Sequence, residues 1–250
     1  MRLTEVIAQR KNKIVYRDGD KCIKVFNSDY SKVNVLNEAM NHARVEETGV
    51  NIPKLYEVTT IDGNWCIVSE FVEGITLAEL MRREPEKYDE YLEQLVDIEM
   101  DYSSHRCYNL NNLKEKVNHE VCSAELEATT RFALHMRIDS MPRRNNLCHG
   151  DYNPTNVIIR ADGTPVILDW AHATQGNATA DAARTYLYFR FNGAEETAEK
   201  YMHLFCAKAQ ETSLEYFRKW VPVVAAGLST KGSPEEREFM LAQVGIVGFE

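Results

Sequence analysis

The segment Cys148–Trp170, CHGDYNPTNVIIRADGTPVILDW, constrains what this chain can become more than any other stretch. His149-Gly150-Asp151 reads as a sharp turn, with Gly150 permitting the backbone geometry that exposes the Asp151 side chain. Asn156 follows five residues after Asp151, past Pro154, which stiffens the loop. Residues 157–160 read as a strand, Ala161-Asp162-Gly163-Thr164 as a turn, and residues 165–170 as a returning apolar strand with Asp169 near its end. Such a hairpin brings Asp169 beside Asn156, although they are 13 residues apart. A carboxylate after Val166-Ile167-Leu168 is expensive to bury unless a metal or hydrogen bonds compensate it.

These residue types suit the movement of a phosphoryl group. A triphosphate has to be held with its charge neutralised, normally by magnesium, and a hydroxyl has to be aimed at the γ-phosphorus with an outlet for its proton. Magnesium takes few protein ligands and fills its shell with water and phosphate oxygens. Asp151 is the candidate base, and Asn156 and Asp169 are the candidate magnesium ligands. His-Gly-Asp alone is a weak signal, and Asn-Pro and Asp-Gly are ordinary turn formers. The ordered set, His-Gly-Asp, Asn156, a hairpin and then Val-Ile-Leu-Asp-Trp, is far more specific.

Charge and cysteine usage exclude several alternatives. The net charge of −9 argues against a general nucleic-acid binder, which would normally be basic. No apolar run approaches the roughly 20 residues that cross a bilayer, and MRLTEVIAQRKNK lacks the apolar core of a signal peptide. The six cysteines are scattered with no C-x-x-C, so reduced thiols in a cytoplasmic protein are expected. His105 and Cys107 are two metal-capable residues without partners in sequence and point to no zinc site.

Along the chain, residues 3–26 read as strands, with Asp18-Gly19 turning between two alternating runs. Lys24 lies in the second run and points opposite to Ile23 and Val25. Residues 31–48 read as a helix capped by Ser31 and ended by Gly49, with Leu36, Met40 and Ala43 as its apolar stripe and Glu38 off that stripe. A second hairpin is expected from strands near 54–60 and 65–71 around Asp62-Gly63-Asn64. Thr76 and Glu79 form a capping box, and Gly74 marks a change from strands to helices. Helical stripes follow at Tyr91, Leu92, Leu95, Val96 and Ile98 and over residues 123–138, with residues 105–113 as a loop. Further helices are expected over 180–192, over 196–220 and at the tail.

The motifs HGDYNPTN and ILDW resemble those of the aminoglycoside phosphotransferase and choline kinase family, whose fold is similar to that of protein kinases. The resemblance runs from about residue 5 to residue 192. It implies an α+β, two-lobed protein-kinase-like fold: a small N-terminal antiparallel sheet lobe with one helix, and a larger, mostly helical C-terminal lobe. Residues 1–74 would form the nucleotide-binding lobe including the hinge. Residues 75–250 would form the helical lobe with the catalytic loop and metal-binding hairpin. By the same resemblance, Asp151 would orient or deprotonate a substrate hydroxyl, Asn156 and Asp169 would hold Mg2+, and His149 would support the loop. Lys24 looks like the strand lysine that contacts the α- and β-phosphates, and Glu38, 14 residues on, like its helix partner. Glu70, Phe71 and Val72 look like the hinge that hydrogen-bonds adenine, and Asp181 like the aspartate that anchors the helical lobe.

The implied activity is transfer of a γ-phosphoryl group from ATP, or another nucleoside triphosphate, to a hydroxyl of a small molecule, without nucleic-acid or membrane partners. Two other readings use the same parts. A Ser/Thr protein kinase would need a peptide platform, for which the twelve residues from Asp169 to Asp181 leave little room. A nucleotide-binding pseudokinase would have no need of all three acidic-site residues. Oligomeric state and the acceptor are not legible. One departure stands out: IAQRKNKIVY, where many relatives have a glycine-containing nucleotide loop, has Arg10, Lys11 and Lys13 and no glycine. His172 stands where relatives often carry an acidic residue.

Overall fold

Tight turns and alternating side chains build an antiparallel sheet at the start of the chain. In the computed structural model, which describes residues 3, 5–210 and 212–245, β1 (Glu5–Gln9), β2 (Lys13–Asp18), β3 (Lys21–Phe26), β4 (Leu55–Ile61) and β5 (Asn64–Glu70) pair in the order β1-β2-β3-β5-β4. Gly19 supplies a positive φ of 64° at the first turn. At the second, Asp62 and Gly63 both have positive φ, 50° and 81°, which is the requirement of the turn whose twist matches its strands. One face of the sheet packs Ile23, Cys66 and Val68. The other packs Phe26 and Ile67 against Val35 and Ala39 of α1 (Lys32–Glu46).

The buried face of α1 is not the expected one. Leu36 and Met40 are exposed, whereas Val35, Glu38, Ala39, His42 and Val45 are buried. The polar members of that face are paid for by specific partners, so hydrophobicity alone misplaced it. The His42 Nε2 donates to the Pro53 carbonyl at 2.6 Å, and Asn41 donates to the Ala171 carbonyl at 3.0 Å. Ser31 precedes the helix without a side-chain cap.

The chain resolves into two compact units, Met1–Tyr91 with Pro154–Ala173, and Leu92–Asn153 with Thr174–Glu250. The first adds β6 (Ile75–Thr76), α2 (Leu77–Arg83) and the hairpin β8 (Val157–Ile159) and β9 (Pro165–Ile167), numbered after β7 of the second unit. β6, β8 and β9 pair in that order. The Thr76 hydroxyl accepts from the Glu79 N–H at 3.2 Å, one half of the expected capping box, while the Glu79 carboxylate takes Arg82 and Arg83. The returning strand stops at Ile167, short of the expected Trp170. Asp169 lies beyond it with φ 61° and ψ 60°, and Trp170–His172 forms a single 3-10 turn.

The second unit is mainly helical: α3 (Tyr88–Ser104, most of it here), α4 (Leu113–Ser123), α5 (Ala128–Ser140), α6 (Ala178–Phe191), α7 (Glu195–Lys208), α8 (Leu214–Leu228) and α9 (Pro234–Gly245). It also contains β7 (Asn146–Cys148) paired antiparallel with β10 (Thr174–Gly176), a pair too short to leave a periodic signal. Its core includes Leu92, Leu95, Val96, Leu187, Phe205 and Trp220. On α5, Leu134 and Ile138 are buried but Phe132 and Met136 are exposed, and the helix begins at Ala128, later than the apolar pattern. Residues 246–250 of the expected tail helix lie outside the described residues. All six cysteines are free thiols, and no helix among the described residues is long and apolar enough to cross a membrane.

Two predictions concern stability. A Cβ on Gly74 would sit 2.4 Å from the Ile159 carbonyl oxygen and 2.5 Å from Ile158 Cγ2, so Gly74 lets the chain pass close to β8. Gly74→Ala is expected to cost about 1–3 kcal/mol in urea unfolding through this overpacking. Glu99 is wholly buried, and burial and the Asp181 charge raise its carboxyl well above the ordinary 4.5. Because the folded value is the higher one, the unfolded chain ionises first, so stability falls as pH rises above 4.5 toward the folded value. Glu99→Gln is expected to flatten that fall, as measured by thermal unfolding between pH 5 and pH 8, pH values chosen to lie about and above the carboxylate range.

Candidate active site

In the first unit, strand pairing aims basic side chains at the buried face of α1. Lys24 on β3 pairs with Ile67 on one side and Val15 on the other, on the sheet face that packs α1. Its ammonium donates to Glu38 Oε1 at 2.8 Å and to Asp169 Oδ1 at 3.0 Å. Burial alone would depress the Lys24 pKa. The Asp169 and Glu38 carboxylates outweigh that and raise it, so the lysine is held charged. Lys13, two residues before Val15 and so on the same face of β2, donates to Glu38 at 3.2 Å and lies 3.7 Å from Asp169 Oδ2. Two lysines therefore face two carboxylates. The glycine-free turn before Lys13 closes by the Arg10 N–H donating to the Lys13 carbonyl at 2.9 Å, while Arg10 and Lys11 themselves are exposed.

Asp169 is one of two non-glycine residues with positive φ among those described. That region costs an L-residue roughly 1 kcal/mol, least for Asp and Asn. The Leu168 N–H donates to the Asn156 carbonyl at 2.7 Å, so the β8–β9 hairpin brings the two backbones together as its spacing implied. Among the described residues, no three His, Cys, Asp or Glu side chains gather as a metal cage. One carboxylate and one amide oxygen nevertheless fit magnesium, which draws the rest of its shell from water and phosphate.

The segment expected as a hinge is partly committed to the sheet. The Glu70 N–H donates to the Lys54 carbonyl at 2.8 Å, and the Phe71 N–H to the Asp20 carbonyl at 2.7 Å. The Glu70 carboxylate accepts from Arg160 at 2.7 Å, and Arg17 stacks on the Phe71 ring at 4.0 Å. Val72 is buried, and its N–H has no protein partner among the described residues.

In the second unit, the His-Gly-Asp turn is held from beneath. Asp181, on the first turn of α6, is buried. It accepts from the His149 N–H at 2.6 Å, the Gly150 N–H at 2.7 Å and the Tyr102 hydroxyl at 2.9 Å. Gly150 has φ 77°, which allows both N–H groups to point at one carboxylate. The buried His149 Nδ1 accepts from the Asp151 N–H at 3.1 Å. Tyr152 is buried, its hydroxyl donating to the Leu95 carbonyl at 2.8 Å and its own carbonyl accepting from Thr185 at 2.7 Å. With its backbone pinned on both sides, Asp151 projects a half-exposed carboxylate, which accepts from Arg184 Nη2 at 3.0 Å and Nε at 3.3 Å.

Arg184 and the double role of Lys13 were not anticipated. Arg184 follows Asp181 by three residues on a helix, and that spacing alone places it on the same face. Nothing local couples Lys13 to Glu38, 25 residues away. His172 is exposed, and His105 bonds its Nδ1 to the Asp101 carbonyl at 3.1 Å.

No curated protein sequence matches the chain. The crystal structure of a thermostable mutant of aminoglycoside phosphotransferase APH(4)-Ia is similar at TM-score 0.71 and 12% identity, covering 96% of this chain and 92% of that one. Choline kinase LicA from Streptococcus pneumoniae is similar at TM-score 0.67 and 13% identity, covering 98% and 92%. Aminoglycoside-3'-phosphotransferase of type VIII is similar at TM-score 0.65 and 15% identity, covering 89% and 91%. Variants of the APH(4)-Ia mutant have been solved as ternary complexes of ADP or AMP-PNP with hygromycin B. These likenesses establish a kinase-like fold, and residues 4–217 match the family described as the phosphotransferase enzyme family, so the chain belongs to that family and is a kinase-type phosphotransferase.

Proposed function

We propose that the protein transfers the γ-phosphoryl group of ATP to a hydroxyl of a small molecule. The observation that carries this reading is the Lys24 ammonium paired at once with Glu38 and Asp169. A half-buried lysine between two acids is a fixed positive charge, suited to the α- and β-phosphates. Residues 1–74, which fall within the first unit, are proposed as the nucleotide-binding lobe, and residues 75–250 as bearing the catalytic loop and the metal hairpin. Asn156 and Asp169 would hold Mg2+, which supplies charge neutralisation on the β- and γ-phosphates. In the hinge of Glu70, Phe71 and Val72, the Val72 N–H is the donor left for the adenine edge. Lys13 compensates for the missing loop glycines. Lys13 and Lys24 balance Glu38 and Asp169 to zero net charge, so an anionic nucleotide complex meets no excess of negative charge.

Asp151 accepts the hydroxyl proton as the new bond forms. His149 and Asp181 are structural, fixing the turn on which Asp151 stands. Arg184 orients the Asp151 carboxylate through its two N–H donors. Choline and hygromycin B belong to the similar proteins and are not assigned to this chain.

The test is magnesium-dependent ADP release with an acceptor panel, beside equilibrium binding of AMP-PNP with Mg2+. Asp151→Asn is expected to bind nucleotide as the parent does while lowering kcat at least about 100-fold, the usual scale for a lost general base. If it unfolds or loses nucleotide affinity instead, the base assignment fails. Lys13→Met is expected to weaken nucleotide binding about tenfold, or 1.4 kcal/mol, with Lys13→Arg restoring most of it. An unchanged affinity would remove Lys13 from the nucleotide site.

A further inference from the structure

The segment that carries Asp169 is gripped from α1 and from the loop that follows it. β9 is the edge strand of β6-β8-β9. On its open edge Asn51 stands in for another strand. The Asn51 carbonyl accepts from the Ile167 N–H at 3.0 Å, and Asn51 Nδ2 donates to the Pro165 carbonyl at 2.6 Å. Next along the chain, the Leu168 N–H is taken by the Asn156 carbonyl at 2.7 Å, and the buried Trp170 donates Nε1 to the Ile167 carbonyl at 3.1 Å. Beyond Asp169, Asn41 Nδ2 donates to the Ala171 carbonyl at 3.0 Å. Asp169 therefore stands between two pinned backbone groups, the Leu168 N–H and the Ala171 carbonyl. Its left-handed φ and ψ are ones that its own preference does not supply, so the flanking anchors have to.

Asn41 is an uneconomical way to fill space. It is 3% exposed, and its Oδ1 is buried without a hydrogen-bond partner among the described residues. An amide that satisfies only its donor side in the interior adds little net stability, because the orphaned acceptor has lost its water. A leucine has the same branched shape and no such acceptor. What leucine cannot do is hold the Ala171 carbonyl. Asn41 also follows Glu38 by three residues, about one turn of α1. The helix thus reaches Asp169 twice: to its side chain through Lys24, which donates to both Glu38 and Asp169, and to its backbone through Asn41.

We propose that Asn41 is the positioning residue for the magnesium ligand Asp169, fixing the backbone on which that carboxylate stands. This rests on the phosphotransferase reading above and deepens it at the same site. Asn41 acts through Asp169 alone: without its donor, the backbone at Asp169 relaxes toward ordinary φ and turns the carboxylate away from the metal.

The test is calorimetry of AMP-PNP binding to the full chain, once with Mg2+ and once with EDTA, for the parent, Asn41→Leu and the smaller Asn41→Ala. Mg2+ is expected to tighten binding to the parent. Both variants are expected to lose about tenfold of that tightening, the scale on which supports of a metal ligand act, while the affinity in EDTA and the ligand-free Tm stay close to the parent's. In an Asp169→Ala background, Asn41→Leu is expected to change neither affinity further, since the residue it positions is gone. Full magnesium tightening in both variants, an equal loss with Mg2+ and with EDTA, loss of folding in both, or a further loss in the Asp169→Ala background would each overturn the proposal. A parent whose AMP-PNP affinity ignores Mg2+ would instead remove the reading of Asn156 and Asp169 as magnesium ligands, and the role of Asn41 with it.

Discussion

Asp181 holds this site in place. Its carboxylate is buried, which is tolerable only because it accepts from two consecutive backbone N–H groups and a tyrosine hydroxyl. Those N–H groups belong to His149 and Gly150, so the cost of burying one charge is met by fixing the turn that presents Asp151. The requirement runs outward from there. Gly150 has to reach positive φ, His149 has to accept from the Asp151 N–H, and Tyr102 has to cross from α3. The same helix that carries Asp181 in its first turn carries Arg184 about one turn later, so a single element anchors the loop and orients its carboxylate.

The first unit solves the same problem with ion pairs. Glu38 is buried on the inward face of α1, and Lys24 and Lys13 make this possible. Breaking one partner of such a cluster leaves a buried charge unpaired, a loss of roughly 3–5 kcal/mol in comparable cases, far more than an exposed pair contributes. Asp169 joins the cluster from the other end of the sequence through a backbone conformation that few residues tolerate. In the phosphotransferase reading proposed above, such an arrangement of opposite charges would exchange one partner for a metal or a phosphate.

Much of this is legible in the sequence. Asp62-Gly63 and Asp18-Gly19 marked hairpins correctly because turn chemistry is local. The Asp162-Gly163 turn marked the hairpin between Asn156 and Asp169 for the same reason. The α1 stripe was misread because Leu36 and Met40 look like core residues, while Glu38, Asn41 and His42 are buried through partners remote in sequence. The strand β9 ended early because Asp169 adopts a left-handed conformation that no apolar pattern records. The β7–β10 pair joins segments 26 residues apart or more, each three residues long, and so has no periodic signature.

What the sequence determined by itself is the inventory: an aspartate on a glycine turn, an amide and a carboxylate across a hairpin, and a strand lysine followed by a helix glutamate. Turn chemistry and side-chain periodicity act over a few residues, so they can be read from a string. Tertiary structure decided which of those groups meet and which others join them. Lys13 reaches Glu38, and Arg184 reaches Asp151, only when the chain is folded. Pairing of charges depends on distance in space and on exclusion of water, and neither quantity exists along an unfolded chain.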